Sequence, residues 1–192
     1  MNIDFWVDPG CPFCWATARW AVDEVQPHRD IDITWRPISL FFKNEPDPDS
    51  PWYEGSKFTH GLLRVMESVR TTDGNDGVFK LYWEFGARIH HDKESPFDPA
   101  DALATVGLDA SHAAAFDDDS WDSVIRAGMD EGLELVGNDV GTERVEIYNA
   151  GPGSVDMTGW AIDDAVTIGQ VATRARIPED LDPTCSTSAI IG

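Results

Sequence analysis

Apolar and polar positions alternate from the second residue onward. Ile3, Phe5 and Val7 fall opposite Asn2, Asp4 and Trp6, and a period of two predicts a β-strand. Asp8-Pro9-Gly10 breaks that strand, and Pro12 stands where a helix can begin, since proline's fixed φ suits the first helical position. Trp15, Ala18, Val22 and Val25 then recur at helical spacing until Pro27. Ile31, Ile33 and Trp35 alternate again before Pro37, so the pattern predicts strand, loop, helix and strand, a βαβ unit.

The stretch KNEPDPDSPW, residues 43–52, is rich in breakers and reads as a loop. Helical patterns follow: Leu62, Met66 and Val69 mark one, and Val78, Leu81, Tyr82, Phe85 and Ile89 a second. A shorter helix is expected near 99–106, with an Ala-rich turn at 111–116. The clearest runs from about 121 to 135, where Trp121, Val124, Ile125, Gly128, Met129 and Gly132 share one face behind an Asp119-Ser120 cap. Val145, Ile147 and Val155 suggest strands, with a turn over 149–154. The last 25 or so residues are weakly patterned.

At 192 residues the chain is long enough for one domain with an insertion. Its 35 acidic residues against 14 basic ones give a net charge of −21, which opposes binding to nucleic acid or to an anionic membrane surface. The acids are spread along the whole chain, and such a surface suits a salt-rich cytoplasm in which screening damps self-repulsion. The N-terminus shows neither a basic region nor an apolar leader, and no run is long enough to span a bilayer, so a soluble, cytoplasmic protein is expected.

That compartment sharpens the reading of Cys11 and Cys14. In the cytoplasm thiols are kept reduced, and a close pair of cysteines points to catalysis or metal rather than to a staple. A zinc site needs a second pair of ligands, but only Cys185 remains, and no H-x₃₋₅-H pattern accompanies it. His90 and His91 are adjacent, about 100° apart on a helix, which is poor geometry for joint chelation. The placement of C-x-x-C between a strand and a helix start instead suits redox chemistry: unpaired N–H groups and partial positive charge at a helix N-terminus favour a thiolate. Cys11 is therefore expected to be the more acidic and more exposed thiol, attacking a disulfide or other electrophile, and Cys14 the resolving one. Asp8 is a counter-influence, since a nearby carboxylate raises a thiol's pKa. Pro12 and Phe13, between the cysteines, would tune the reduction potential. Trp6, Trp15 and Trp20 flank the motif as core residues or as stacking surfaces for a planar substrate, with core the commoner role for aromatics beside a sheet. His90 and His91 read as substrate contacts in the helical subdomain or, the commoner case, as exposed residues at a helix end.

The stretch FWVDPGCPFCWATARW resembles the DsbA-like branch of the thioredoxin superfamily, and within it the mycothiol-dependent reductases, also called nitroreductases. GARIHH and AGMDEGLELVGNDVGT are similar to that family's helical subdomain and its return to the sheet, so the resemblance covers residues 2–142. It implies an α/β thioredoxin-like fold with an inserted helical subdomain. Residues 1–40 and 140–165 would form the sheet portion, 41–139 the insertion, and 166–192 a C-terminal tail.

The resemblance also implies a dithiol oxidoreductase. It would carry no bound cofactor, and a low-molecular-weight thiol such as mycothiol would act as cosubstrate. Its partners would be that thiol and a disulfide or electrophilic small molecule. A dinucleotide fingerprint is absent, because Gly10, Gly55 and Gly61 do not make G-x-G-x-x-G. Pro12, Phe13, Trp15, Thr142 and Glu143 are the expected substrate contacts beside Cys11 and Cys14.

One departure stands out. The family's Val-Gly-Thr is followed by a proline with a cis peptide bond, whereas Val140-Gly141-Thr142 is followed here by Glu143. A cis bond before a non-proline residue costs about 3 kcal/mol, so slow turnover is expected. From there, residues 143–165 are similar to the opening of a lamin-tail domain, a small β-sandwich, which makes the C-terminal β part atypical; the remaining length is too short for a complete sandwich. Two other readings thus stay open. One is an isomerase of the chromene-carboxylate or kappa-transferase type on the same fold, against which Cys14 argues. The other is a non-catalytic chimeric or truncated protein whose working part is the lamin-tail-like segment.

Overall fold

The computed structural model describes residues 2–136 and, beyond them, the strand segments 144–148, 155–157, 161–162, 166–167 and 172–175. β1 (Asn2–Val7) and β2 (Asp32–Pro37) run parallel, with Asn2 opposite Asp32 and Val7 opposite Pro37. They are joined by α1 (Pro12–Trp20), which widens into a π-turn at Ala21–Val25 and tightens into a 3₁₀ turn at Gln26–His28. The βαβ unit legible in the sequence is therefore present, and Pro27 lies where the helical run ends.

β3 (Arg144–Tyr148) pairs antiparallel with the other side of β1, Ile3 facing Ile147 in register. β4 (Val155–Met157), β5 (Ala161–Ile162), β6 (Val166–Thr167) and β7 (Ala172–Ala175) follow. The main sheet has the order β2-β1-β3-β7-β4, with β7 parallel to β3 and antiparallel to β4, while β5 and β6 form a separate pair. Expected strand positions Val145, Ile147 and Val155 lie in β3 and β4. β7 lies within the expected tail; its sequence, Ala-Thr-Arg-Ala, holds no large apolar residue whose alternation would announce a strand.

Both faces of β1 are covered. Ile3, Phe5 and Val7 enter the main core with Trp15 and Ala18 of α1 and with Leu62, Val78, Tyr82 and Phe85. Trp6 is equally buried on the other face, against Ile38 and Met129, and its indole N–H donates to the Gly128 carbonyl at 2.8 Å.

The insertion begins with α2 (Leu40–Asn44), capped by Ser39, whose hydroxyl accepts the Phe42 N–H. The two central helical patterns form one long element, α3 (Tyr53–Gly86), kinked at Gly74. There φ is +62° and ψ −155°, a conformation that residues with a Cβ rarely adopt. The kink sets Asn75 against β2, the edge strand: its amide donates to Ile33 O at 2.7 Å and accepts from Trp35 N at 2.9 Å. The Arg70 guanidinium also donates to Trp35 O at 2.5 Å. Side chains from α3 thus occupy the backbone groups that another strand would otherwise take.

α3 ends in a π-turn, Ala87–Asp92, followed by α4 (Pro99–Thr105), a 3₁₀ segment at Ala110–Asp117 and α5 (Asp122–Val136). Before α5, a 3₁₀ turn at Asp119–Trp121 is capped by Asp118 rather than by Asp119 or Ser120. Ile125 and Met129 face inward as expected, whereas Val124 is exposed. No helix among the described residues is long and apolar enough to cross a membrane.

Candidate active site

β1 ends at Val7, and the chain turns at Asp8-Pro9-Gly10 to deliver Cys11 as the N-cap of α1, with Pro12 in the first turn. The Cys11 N–H donates to Asp8 O at 3.0 Å, closing the turn, and the Cys11 carbonyl accepts the Trp15 N–H at 3.1 Å. The Cys11 sulfur occupies the place of a capping oxygen and accepts the Cys14 N–H at 3.3 Å. A donor aimed at sulfur favours the thiolate over the thiol, so the geometry meets the requirement set by the motif.

Cys11 retains 2 % exposure and Cys14 none, so the order is the expected one, but both thiols lie below the surface. Pro12 is exposed and Phe13 half-buried beside them, while Trp15 is buried in the core. Thr142, Glu143 and Cys185 lie outside the described residues.

Asp8 is wholly buried and organises the loop. One carboxylate oxygen accepts the Gly10 N–H at 2.8 Å and the other the Leu40 N–H at 2.8 Å, with Thr59 as a further hydrogen-bond partner. Burial raises its pKa to about 6, with these hydrogen bonds opposing the rise. A carboxyl titrating there is ionised at neutral pH yet basic enough to take a proton from a neighbour.

The two histidines converge on the loop and on Trp15. His90 is half-buried rather than exposed, and its Nε2–H donates to the Pro9 carbonyl at 2.9 Å. Its ring stacks on Trp15 at 6.1 Å, and the Trp15 indole N–H donates to Nε2 of His91 at 3.2 Å. Desolvation first, then the positive charge of Lys93, keeps the His90 pKa below the usual value, against the pull of the Pro9 carbonyl. Trp15 is held from below by Tyr82 and Trp83, with ring centroids at 6.0 and 4.9 Å. It fits only because position 86 is glycine: a Cβ there would stand 2.3 Å from the indole.

A buried polar chain continues from Ser39, next to Leu40. The Ser39 hydroxyl lies 3.0 Å from Nδ1 of His60, whose Nε2–H donates to Asp122 at 3.0 Å. Arg64 grips the same carboxylate at 2.6 and 3.0 Å. Burial opposes ionisation of Asp122, but the hydrogen bonds of Arg64 and His60 prevail and hold its pKa low. For His60, burial prevails and the pKa falls. Ser39 is fully buried and engaged as the cap of α2, so this chain secures the helices behind Asp8.

Sequence reasoning weighed Asp8 only as an influence on Cys11 and took His90 for a surface residue. It missed Ser39, Thr59 and His60 altogether. Only Asp8, in a breaker just before the first cysteine, carried a local signal; the others make their contacts across 21 to 81 positions of chain.

Comparison with known proteins agrees with this architecture. The chain is 32 % identical over 131 residues to Rv2286c of Mycobacterium tuberculosis, described as uncharacterized, covering 66 % of this chain and 56 % of that protein. It therefore spans little more than half the length of that relative. The fold is similar to that of the cytosolic disulfide reductase DsbM from Pseudomonas aeruginosa, at 14 % identity and a TM-score of 0.52, over 78 % of this chain and 86 % of the other. The fold is thus α/β, thioredoxin-like, with a helical insertion. A family model described as "Rv2466c-like: Mycothiol-dependent nitroreductase Rv2466c" matches residues 10–172, a span that runs through the segment 143–165 for which a lamin-tail resemblance was expected. With a match over most of its length, this chain belongs to the Rv2466c-like family.

Proposed function

We propose that this protein is a thiol–disulfide oxidoreductase whose Cys-Pro-Phe-Cys dithiol works with a low-molecular-weight thiol, mycothiol or an equivalent, in the cytoplasm. The observation that carries the reading is Cys11 capping α1, with its sulfur accepting the Cys14 N–H. Membership of a family described as mycothiol-dependent supports the choice of thiol.

In the reducing direction, the Cys11 thiolate attacks one sulfur of a disulfide, and the other leaves as a thiolate that takes a proton from solvent. Cys14 gives its proton to the Asp8 carboxylate and attacks the Cys11 sulfur, which expels the second sulfur as a thiolate; that thiolate is protonated as Asp8 releases its proton again. The dithiol loses two electrons to form the Cys11–Cys14 disulfide, and the substrate gains them as two thiols. Two molecules of the small thiol then reverse the sequence: one opens the Cys11–Cys14 disulfide as a mixed disulfide, the second resolves it, and they leave as their own disulfide with the dithiol restored. Pro12 and Phe13 border the point of attack, and Trp15 acts from beneath through His90 and His91. Thr142 and Glu143 would supply the facing substrate loop; an acidic residue in place of proline there slows exchange.

The test is trapping. Cys14→Ser, incubated with a disulfide of the small thiol, should accumulate a mixed disulfide on Cys11, read as added mass on that peptide, while Cys11→Ser should accumulate none. If the parent protein forms no Cys11–Cys14 disulfide and Cys14→Ser traps no adduct, the reading is wrong.

A further inference from the structure

The peptide group between Pro9 and Gly10 is held at both ends. Its carbonyl accepts the Nε2–H of His90 at 2.9 Å, and its N–H donates to one oxygen of the Asp8 carboxylate at 2.8 Å. A donor on the carbonyl draws electron density from the amide and makes its N–H a stronger donor; linked hydrogen bonds polarise one another by roughly 10–30 %. His90, 81 positions after Pro9, and Asp8 are thus the two ends of one hydrogen-bonded chain.

Both ends are built for the contact. The His90 ring lies 21° from parallel to Trp15, and Lys93 Nζ donates to the His90 carbonyl at 2.7 Å, closing the π-turn. Because the Pro9 carbonyl can only accept, Nε2 carries a proton whether the imidazole is neutral or charged. At the other end glycine lets the peptide approach: a Cβ at position 10 would stand 2.8 Å from Thr59 Cγ2 and 3.3 Å from the Asp8 oxygen. The titratable and charged groups around the chain are Cys11, Cys14 and Tyr82 near Asp8, and His91, Lys93 and Arg19 near His90. The Arg19 charge is matched by Asp23 at 2.6 Å.

We propose that His90 is a positioning residue for the dithiol, acting on the Asp8 carboxylate through the Pro9–Gly10 peptide group. The inference rests on the dithiol reading above and adds to it the donor that governs its base. By strengthening the Gly10 N–H, His90 favours the ionised form of Asp8, the form that takes the Cys14 proton, against the burial that opposes it. The helical insertion thereby sets the pH above which Cys14 resolves the mixed disulfide.

The test pairs His90→Phe, which keeps a ring on Trp15 and removes the donor, with His90→Gln, which keeps an N–H donor. The Asp8 carboxyl is followed by NMR on protein whose aspartates carry carbon-13 in the carboxyl group, its resonance identified by its loss in Asp8→Asn. The titration midpoint should rise by about half a pH unit in His90→Phe and stay near the parent's in His90→Gln. After reaction with glutathione disulfide, the rate at which Cys14 expels glutathione from Cys11 should fall about threefold at pH 5.5 in the phenylalanine variant alone. An unmoved Asp8 midpoint in His90→Phe overturns the proposal, as does a glutamine variant that behaves like the phenylalanine one. So does a shifted midpoint that leaves the rate profile in place. If His90→Phe fails to fold, the parent decides: its Gly10 amide resonance should follow the titration of the His90 imidazole, and a Gly10 amide indifferent to it overturns the proposal. A parent that forms no Cys11–Cys14 disulfide with glutathione disulfide overturns the functional reading itself, whereas the Asp8 midpoints test His90 independently of it.

Discussion

The carboxylate of Asp8 accepts the backbone N–H of Leu40 at 2.8 Å, which ties the loop before Cys11 to the first turn of the helical insertion. Because the other oxygen holds Gly10, a single buried acid fixes both the approach to the dithiol and the place where the insertion departs.

The pKa of that acid gives a signed prediction. The Asp8 carboxyl titrates at about 6 in the folded protein against 3.8 ordinarily. Between those values the native state keeps a proton that the unfolded chain has lost, so this group's contribution to stability falls as pH rises through the window. Above it the loss is complete, on the order of 3 kcal/mol. Denaturant titrations at pH 4, 5, 6 and 7 should show a parent-minus-variant difference that declines with pH when Asp8→Asn is the variant. A constant difference would contradict the assignment. The rate of mixed-disulfide resolution should rise through about pH 6 in the parent and lose that step in the variant.

His90→Ala removes the hydrogen bond to Pro9 and the stack on Trp15. The expected cost is about 1–2 kcal/mol, seen as a lower urea midpoint at unchanged slope. With the loop released, Cys11 should alkylate faster in brief pulses near pH 6. Equal stability and equal labelling would show that the contact carries nothing.

Asn75→Ala strips two hydrogen bonds from the outer edge of β2. A loss of roughly 2 kcal/mol is expected, together with concentration-dependent self-association from the bared strand edge. Size-exclusion chromatography across a dilution series checks the second outcome, and a monomeric profile identical to the parent's would refute it.

The charge of −21 predicts a salt response. As ionic strength approaches molar, the Debye length shrinks to about 3 Å and repulsion among surface carboxylates is screened. The thermal midpoint should therefore climb between dilute buffer and molar KCl. A flat or falling midpoint would remove the case for salt adaptation.

Local sequence determined the parts of this protein whose information is itself local. The two-residue alternation of Ile3, Phe5 and Val7, the break at Asp8-Pro9-Gly10 and Pro12 at the helix start together specify strand, turn and helix, and so place Cys11 at a helix N-terminus. The pair proposed as reactive could be singled out on that ground alone, because spacing and helix geometry act over a few residues. Tertiary structure decided what surrounds it. Covering both faces of β1 buried Trp6 as deeply as Phe5, and a long kinked α3 brought Thr59, Tyr82, Asn75 and, through the π-turn after it, His90 to the βαβ unit. None of these contacts has a period or a motif. A hydrogen bond between His90 and Pro9 spans 81 positions of chain, and it exists only once packing of the helices has settled where each side chain can reach.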